Sequence, residues 1–421
     1  MSPKPDRLQQ REVAVIGAGI VGICCACFLQ REGFSVSVID RLAPGEATSY
    51  GNAGGIATGE IIPLSVPGVL RDLPGWLLDP LGPLALRWTY LPRALPWLLR
   101  FLRAGSEQRV RTLAGALAAL SHAAKPPLEQ LLAAAALDDL LARHDCLYLY
   151  ENEQQLVAER LYWELRREHA IPFERVAGST LPELEPDIAR DFAFGIRMPG
   201  WYHVTNPYRL VTGLAEQFVR AGGRLMRANV VRIEIGDRRA RSLRLDDGAV
   251  HAFDELVIAA GAWSDLLARQ LGDAVPLESH RGYHVTLPKA GIRPQRLVLH
   301  AADHFVVTPM EMGVRVAGTV EIAGLEAPPN YQRARILVRK AKRIYPGLDD
   351  AGGVEWMGHR PATPDSLPVI GRATGVGNVS YAFGHGHLGL TFGPITGRVI
   401  AELAAGKPAS LDLHPYRVDR F

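Results

Sequence analysis

The segment "REVAVIGAGIVGICCACFLQREGFSVSVID", residues 11–40, constrains this chain more than any other. "VAVI" is a short β-branched run, and Gly17, Gly19 and Gly22 follow it at once in a G-x-G-x-x-G spacing. An apolar helix runs to about Arg31, Gly33 breaks it, and "SVSVID" alternates as a second strand ending in Asp40. The whole reads as a βαβ unit. The first glycine permits the tight turn, the second lets backbone approach a pyrophosphate, and the third lets helix and strand pack closely. Free N–H groups at the helix N-terminus then face the phosphates. Asp40 lies 21 positions past Gly19, where it suits the ribose hydroxyls of an adenosine. As an anion it repels a 2′-phosphate, which argues against NADP.

Three further glycine-bearing segments follow. One is "ATSYGNAGGIATGE" (47–60); no second α/β repeat of the NAD-binding type continues from it. In "FDELVIAAGAWSDLL" (253–267) a strand, a tight turn and a helix start carry Trp263 and Ser264. Near the C-terminus, "YAFGHGHLGLTFG" (381–393) is a strand end, a glycine loop and a helix opening near Thr391. Glycine clusters so far apart suit extended FAD, held along its length by discontinuous segments, better than NAD.

These residues carry a resemblance. "GAGIVG", "SYGNAGG", "NPYRLVTGLAEQFVRAGG", "VIAAGAWS", "RGYH", "GHRPATPDSLPVIG" and the terminal glycine loop resemble the D-amino-acid oxidase/dehydrogenase superfamily of FAD-dependent amine oxidoreductases. That superfamily includes glycine oxidase and sarcosine oxidase. "GNAGGIATGEIIP", "LLDPLGPLALRW" with "YLPRALPWLLRFL", and "GHGHLGLT" look most like the bacterial D-amino-acid dehydrogenases, and closest to enzymes oxidising cis-4-hydroxy-D-proline. The resemblance implies an α/β fold. A Rossmann-like FAD-binding domain is expected over 1–60, 201–273 and 353–421. An α+β substrate domain, with an antiparallel sheet and helical cover, is expected over 61–200 and 274–352.

Matched residue by residue, the resemblance places the cofactor against Gly17, Gly19, Ile20, Gly22, Asp40, Arg41, Ser49, Asn52, Ala53, Gly54, Val230 and Gly261. It adds Gly386, His387, Leu388, Gly389, Leu390 and Thr391 from the terminal loop, whose N–H groups are expected near flavin O2 and N1. The glycines at 384, 386 and 389 are expected to let backbone come close. His385 and His387 form an H-x-H pair, but their neighbours supply no carboxylate or thiol, so no metal is expected. One of the two is read as a structural hydrogen-bonding group and the other, His387, as a contact to substrate or flavin. Sarcosine oxidases of the monomeric type attach FAD through a C-terminal cysteine. No cysteine follows Cys146 here, so non-covalent FAD is expected.

The implied reaction moves a hydride from a substrate Cα to flavin N5 and leaves an imine. Arg360 in "GHRPATPD" is the candidate carboxylate clamp, since a planar guanidinium grips a carboxylate bidentately. Arg281 and Tyr283 in "SHRGYHVTL" share one face of a strand and are candidate pocket residues, with an ordinary exposed strand face as the alternative. Asn206 reads as a helix cap, Tyr202 and His203 as polar neighbours, and Glu60 as a solvated carboxylate.

The remaining features set bounds. A length of 421 residues implies two domains or one elaborate α/β unit. A net charge of +3 gives no electrostatic case for nucleic acid. Cys24, Cys25 and Cys27 crowd one apolar helix, without zinc-type spacing, and read as core thiols in a reducing compartment. "MSPKPDRLQQ" is not the start of a signal peptide, and no apolar run reaches membrane-spanning length. The expected location is cytoplasmic or peripheral on the inner membrane. Residues 84–105 combine Trp88, Tyr90 and Trp97 with Arg87, Arg93, Arg100 and Arg103, which suits either a membrane-surface helix or a lid packed on the protein. Residues 61–145 are expected to cover the substrate domain.

The expected activity is FAD-dependent dehydrogenation of a small D-amino or imino acid, cis-4-hydroxy-D-proline or D-proline being favoured. Electrons would pass to a quinone or another respiratory carrier. The rivals are an oxygen-using oxidase of glycine, sarcosine or another small amine, and a flavin-binding subunit of a heteromeric amine dehydrogenase.

Overall fold

The computed structural model describes residues 11–68, 82 and 84–421. "MSPKPDRLQQ" and most of "LLDPLGP" lie outside the described residues. The runs "VAVI", "SVSVI", "ELVI" and "VSYAF" are buried throughout or nearly so, as strands covered on both faces should be. They build a six-stranded sheet in the order Arg224–Arg227, Ser35–Asp40, Glu12–Ile16, Glu255–Ile258, Val379–Phe383, Val369–Arg372. All neighbours are parallel except the last pair, a hairpin.

The first helix, Ile20–Arg31, packs against the last, Gly389–Ala404. The crossing is close because Gly397 has no side chain: a Cβ there would lie 2.6 Å from the Cys24 carbonyl carbon and 2.8 Å from Cys25 N. Cys24, Cys25 and Cys27 are buried free thiols at this contact, and burial pushes their pKa values up, Cys27 to about 12. They are packing residues.

A second, nine-stranded sheet lies beside the first. Its path runs Val354–Ala362, Glu278–Leu287, Gly313–Ile322, Phe305–Met310, Val298–His300, Cys146–Tyr150, Phe194–Met198, Glu174–Ala177, with Leu84–Leu86 alongside Gly313–Ile322. Most neighbours are antiparallel, and the helix Gln332–Ile344 covers one face. The Val354–Ala362 strand belongs to this sheet, so the chain re-enters the dinucleotide sheet only after Ala362.

Two expectations are corrected. The long helix Glu107–Ala135 is not a cover for the substrate sheet; it packs on Gly389–Ala404 and Pro207–Arg220 beside the parallel sheet. Its small alanines allow that approach, and Tyr416 donates to the Ala116 carbonyl at 2.6 Å. Nor is the Arg281/Tyr283 face exposed. Every residue of Glu278–Leu287 is buried, because the strand is central and covered on both sides.

Gly397→Ala forces these two helices apart. It is predicted to lower stability by about 1–3 kcal/mol, read as a drop in Tm, with a parallel loss of bound flavin.

Candidate active site

Where the two sheets meet, a cavity of about 400 Å³ follows the C-terminal ends of the parallel strands. Open α/β sheets place ligands at this edge. Gly17, Gly19, Ile20, Asp40, Arg41, Ser49, Asn52, Val230, Gly261, Gly386, Gly389 and Leu390 line it, as the motifs suggest. Gly22, Ala53, Gly54, His387, Leu388 and Thr391 are not among the lining residues. Gly22 instead packs on Gly17, where any Cβ would strike the Gly17 carbonyl. Gly54 passes under Val204, whose N–H donates to the Gly54 carbonyl at 2.7 Å. Thr391 Oγ1 accepts from Ala57 N at 3.0 Å, tying the last helix to residues 55–57.

The cavity suits an anionic dinucleotide. Both helices that open onto it, Ile20–Arg31 and Gly389–Ala404, start with no side-chain cap and no acidic residue in the first turn. Ser49 Oγ accepts from Ile20 N at 3.0 Å at the first of these ends, and the positive ends of both helices otherwise suit an anion. Gly17 has φ +113°, and a Cβ there would run into the Ala259 carbonyl. Asp40 accepts from Ala18 N at 2.7 Å and from Leu42 N at 2.9 Å, which fixes its carboxylate at the cavity edge. Arg41 stacks on Trp263 at 4.1 Å. The lining suits FAD: the Gly17–Gly22 turn would meet its phosphates and Asp40 its adenosine. Trp263, which the sequence marks only as a helix start, forms a wall of the cavity. Asn229 and Gln270, which also line the cavity, carry no signal in the sequence.

A buried cation supports the middle of the site. Arg315, absent from the sequence reading, donates from Nη1 to the Asn52 carbonyl at 2.7 Å and the Tyr50 carbonyl at 3.3 Å. His284 Nδ1 lies 3.1 Å from the Gly51 carbonyl, and its ring stacks on Trp356. Gly51 has no room for a Cβ against Trp356. These contacts pin the "SYGNAGG" loop.

The terminal loop meets the antiparallel sheet at the next point along the cavity. Gly386 N donates to the Pro361 carbonyl at 2.8 Å, and Ala362 bridges to His385. His385 is the structural member of the H-x-H pair: its Nε2 lies 2.9 Å from Thr396 Oγ1, in the core. His387 is open to solvent, yet desolvation by the surrounding protein lowers its pKa, opposed by Glu60 and reinforced by Arg360. Gly386 needs its φ of +55°, and Gly384 its +81°, whereas Gly389 has ordinary clearance from the protein.

Arg360 sits beside this loop on the Val354–Ala362 strand. Its guanidinium lies over Gly282, where a Cβ would overlap it, and Nη1 donates to the Thr319 carbonyl at 3.0 Å. No carboxylate pairs with it among the described residues. Arg360 is half-buried, and desolvation pulls its pKa down to about 10. His280, its cross-strand partner, is buried and neutral, its pKa lowered to about 3 chiefly by desolvation.

Arg281 and Tyr283 point the other way. Arg281 donates to the Gly324 and Pro328 carbonyls, and Tyr283 donates to Glu321 at 2.5 Å while accepting from Asn330 N at 3.0 Å. Both belong to the helix-covered face, opposite Gly282 and Arg360, so the structure does not bring them to the pocket. Glu60 is not solvated either. Tyr148 donates to it at 3.1 Å, and the buried Arg166 guanidinium lies 3.4 Å away. Asn206 does cap a helix, accepting from Arg209 N at 3.0 Å. Tyr202 and His203 pair with Ile56 and Gly55, next to the loop but within a small sheet. Among the described residues, no three His, Cys, Asp or Glu side chains converge as a metal site.

The geometry is that of a dinucleotide cradle whose terminal loop meets the strand carrying Arg360, a guanidinium with no carboxylate partner among the described residues and itself not among those lining the cavity. The model of the FAD dependent oxidoreductase family matches residues 12–403, and the chain belongs to that family. It is 38% identical over 418 residues to a D-amino-acid oxidase of Bradyrhizobium diazoefficiens, covering 98% of this chain and 99% of that one. It is 32% identical over 408 residues to a D-amino acid dehydrogenase of Xylella fastidiosa, covering 95% and 93%. Among solved structures it resembles L-proline dehydrogenase from P. horikoshii, with TM-score 0.74, 18% identity and coverage of 98% and 97%. Glycine oxidase from Geobacillus kaustophilus gives TM-score 0.72, 20% identity and coverage of 98% and 100%. The structural likenesses establish the shared fold.

Gly17→Val places a branched side chain at a left-handed position against Ala259. Bound flavin, measured as flavin absorbance per protein after gel filtration, is predicted to fall by about tenfold or more.

Proposed function

We propose that this protein is an FAD-dependent dehydrogenase of D-amino or D-imino acids, with cis-4-hydroxy-D-proline or D-proline as the favoured substrate and FAD held without a covalent bond. The observation that carries the reading is Arg360, a desolvated guanidinium with one backbone acceptor and no carboxylate partner among the described residues. Leaving such a charge unpaired is costly, and a substrate carboxylate would complete it. The names of the two relatives, an oxidase and a dehydrogenase of D-amino acids, agree with that substrate class.

When bound, FAD supplies the electron-pair acceptor for oxidation at the substrate Cα. The chain's own residues do the rest. Arg360 holds the carboxylate and thereby sets which face of Cα is presented. His387, on the adjoining loop and with its pKa lowered, accepts a hydrogen bond from the substrate ammonium and orients it. His280, neutral, adds no second positive charge beside Arg360. Trp97 helps exclude water, with its ring against His280 at 4.9 Å and Nε1 donating to the Ala362 carbonyl at 3.1 Å. Arg360→Ala is predicted to raise KM for the carboxylate substrate by about a hundredfold with flavin still bound. An unchanged KM would remove the clamp assignment.

The same helix that carries Trp97, Leu91–Ala104, supports a peripheral membrane contact that would deliver electrons to a membrane carrier. Its inner side packs through Ala94 and Trp97 on Ile322 and Ala362. Its outer side exposes Leu95 and Leu99, with Trp88 just before it. Arg87, Arg93, Arg100 and Arg103 have no carboxylate partner among the described residues, and no described helix is long and apolar enough to cross a membrane. An apolar strip between unpaired arginines suits the surface of an anionic bilayer. Co-flotation with phosphatidylglycerol vesicles is predicted for the wild type. Arg93→Glu combined with Arg100→Glu should reduce it about tenfold or more without changing substrate oxidation measured with a soluble dye acceptor.

A further inference from the structure

The strand Gly313–Ile322 is irregular at one place. Its pairing with Glu278–Leu287 matches Arg281 with Glu321 and Tyr283 with Gly318, so Thr319 and Val320 together oppose the single residue Gly282. This is a β-bulge. Thr319 adopts φ +55° in it, a conformation that a β-branched residue takes only at a cost. Glycine would relieve that cost, so the hydroxyl or the imposed geometry is the apparent return.

The bulge stands opposite Gly282, over which the Arg360 guanidinium lies. Glu321 and Gly318 face the helix-covered side, and Val320 packs with Leu86, Trp97 and Ala362 on the other. The Thr319 carbonyl accepts from Arg360 Nη1 at 3.0 Å. Thr319 Oγ1 is buried without a hydrogen-bond partner, and so is Nε2 of the neighbouring His280. A buried hydroxyl usually has a partner, so this one is open to a ligand or a water. Arg360 retains further N–H groups for a bidentate grip, and no other anion is at hand among the described residues.

We propose that Thr319 is a further substrate-binding residue: its hydroxyl donates to the carboxylate gripped by Arg360, while its left-handed backbone aims the carbonyl that fixes the guanidinium. The inference rests on the reading of Arg360 as the carboxylate clamp. Its chemical target is an α-amino or α-imino carboxylate rather than a neutral amine.

Anaerobic rapid mixing of the FAD-loaded enzyme with D-proline separates the dissociation constant from the rate of flavin reduction. Thr319→Val is expected to raise Kd about tenfold or more, and Thr319→Ser to stay within about twofold. Thr319→Gly suits the backbone, keeps its fold and Tm, and should show the same loss of affinity as valine. The Kd of D-prolinamide, which lacks the carboxylate, should be unmoved by either substitution, a selectivity that general loosening of the site would not produce. Arg360→Lys distinguishes the two levels of failure. If Arg360→Lys binds D-proline like the wild type, or the wild type does not bind it, the clamp reading and this inference fall together. If Arg360→Lys loses affinity while Thr319→Val and Thr319→Gly bind like the wild type, only the Thr319 assignment is overturned.

Discussion

The crossing of the first and last helices at Gly397 and Cys24 is the constraint on which the site depends. Two segments nearly the whole chain apart are brought into backbone contact there, and each helix opens its N-terminus onto the same cavity. One positive end lies at the Gly17–Gly22 turn. The other opens from the glycine loop that carries His387. A dinucleotide with an anionic middle and an electron-accepting ring is the ligand class that uses both. The alanine-rich helix Glu107–Ala135 backs this contact from outside, which ties the apparently remote middle of the chain to the cofactor site.

The second sheet contributes the selective end. Its central strand lacks a side chain at Gly282, the neighbouring strand bulges at Thr319, and the guanidinium of Arg360 occupies the resulting space. The structure keeps three costly features together: a desolvated cation without an anion among the described residues, a β-branched residue in a left-handed conformation, and a buried hydroxyl with no described partner. Such departures collect where a ligand is to be bound. Arg315 shows the contrast. It too is a buried arginine, with its pKa lowered to about 10, but backbone carbonyls of the "SYGNAGG" loop occupy it, so its role is to hold backbone.

Much of the cofactor cradle was legible in the sequence because glycine spacing, strand alternation and a terminal acid are local signals. Asp40, Arg41, Ser49 and Gly386 fall on the cavity for that reason. The substrate end was legible only in part. Alternation correctly put Arg281 and Tyr283 on one face, but a strand buried on both sides gives no indication of which face meets the pocket. Glu60 looked solvated because its partners, Tyr148 and Arg166, are distant in sequence. Thr319 carries no mark at all, since a bulge depends on the register of two strands and appears only once they pair. The position of the Glu107–Ala135 helix was hidden similarly: alanines announce close packing without naming the partner.

The most direct test of the central claim is anaerobic titration of the purified flavoprotein with cis-4-hydroxy-D-proline, D-proline, their L-epimers at Cα, glycine and sarcosine, followed by flavin absorbance. The account predicts bleaching by the two D-imino acids and slow return of colour in air. Bleaching only by glycine or sarcosine, with rapid return of colour, would contradict it.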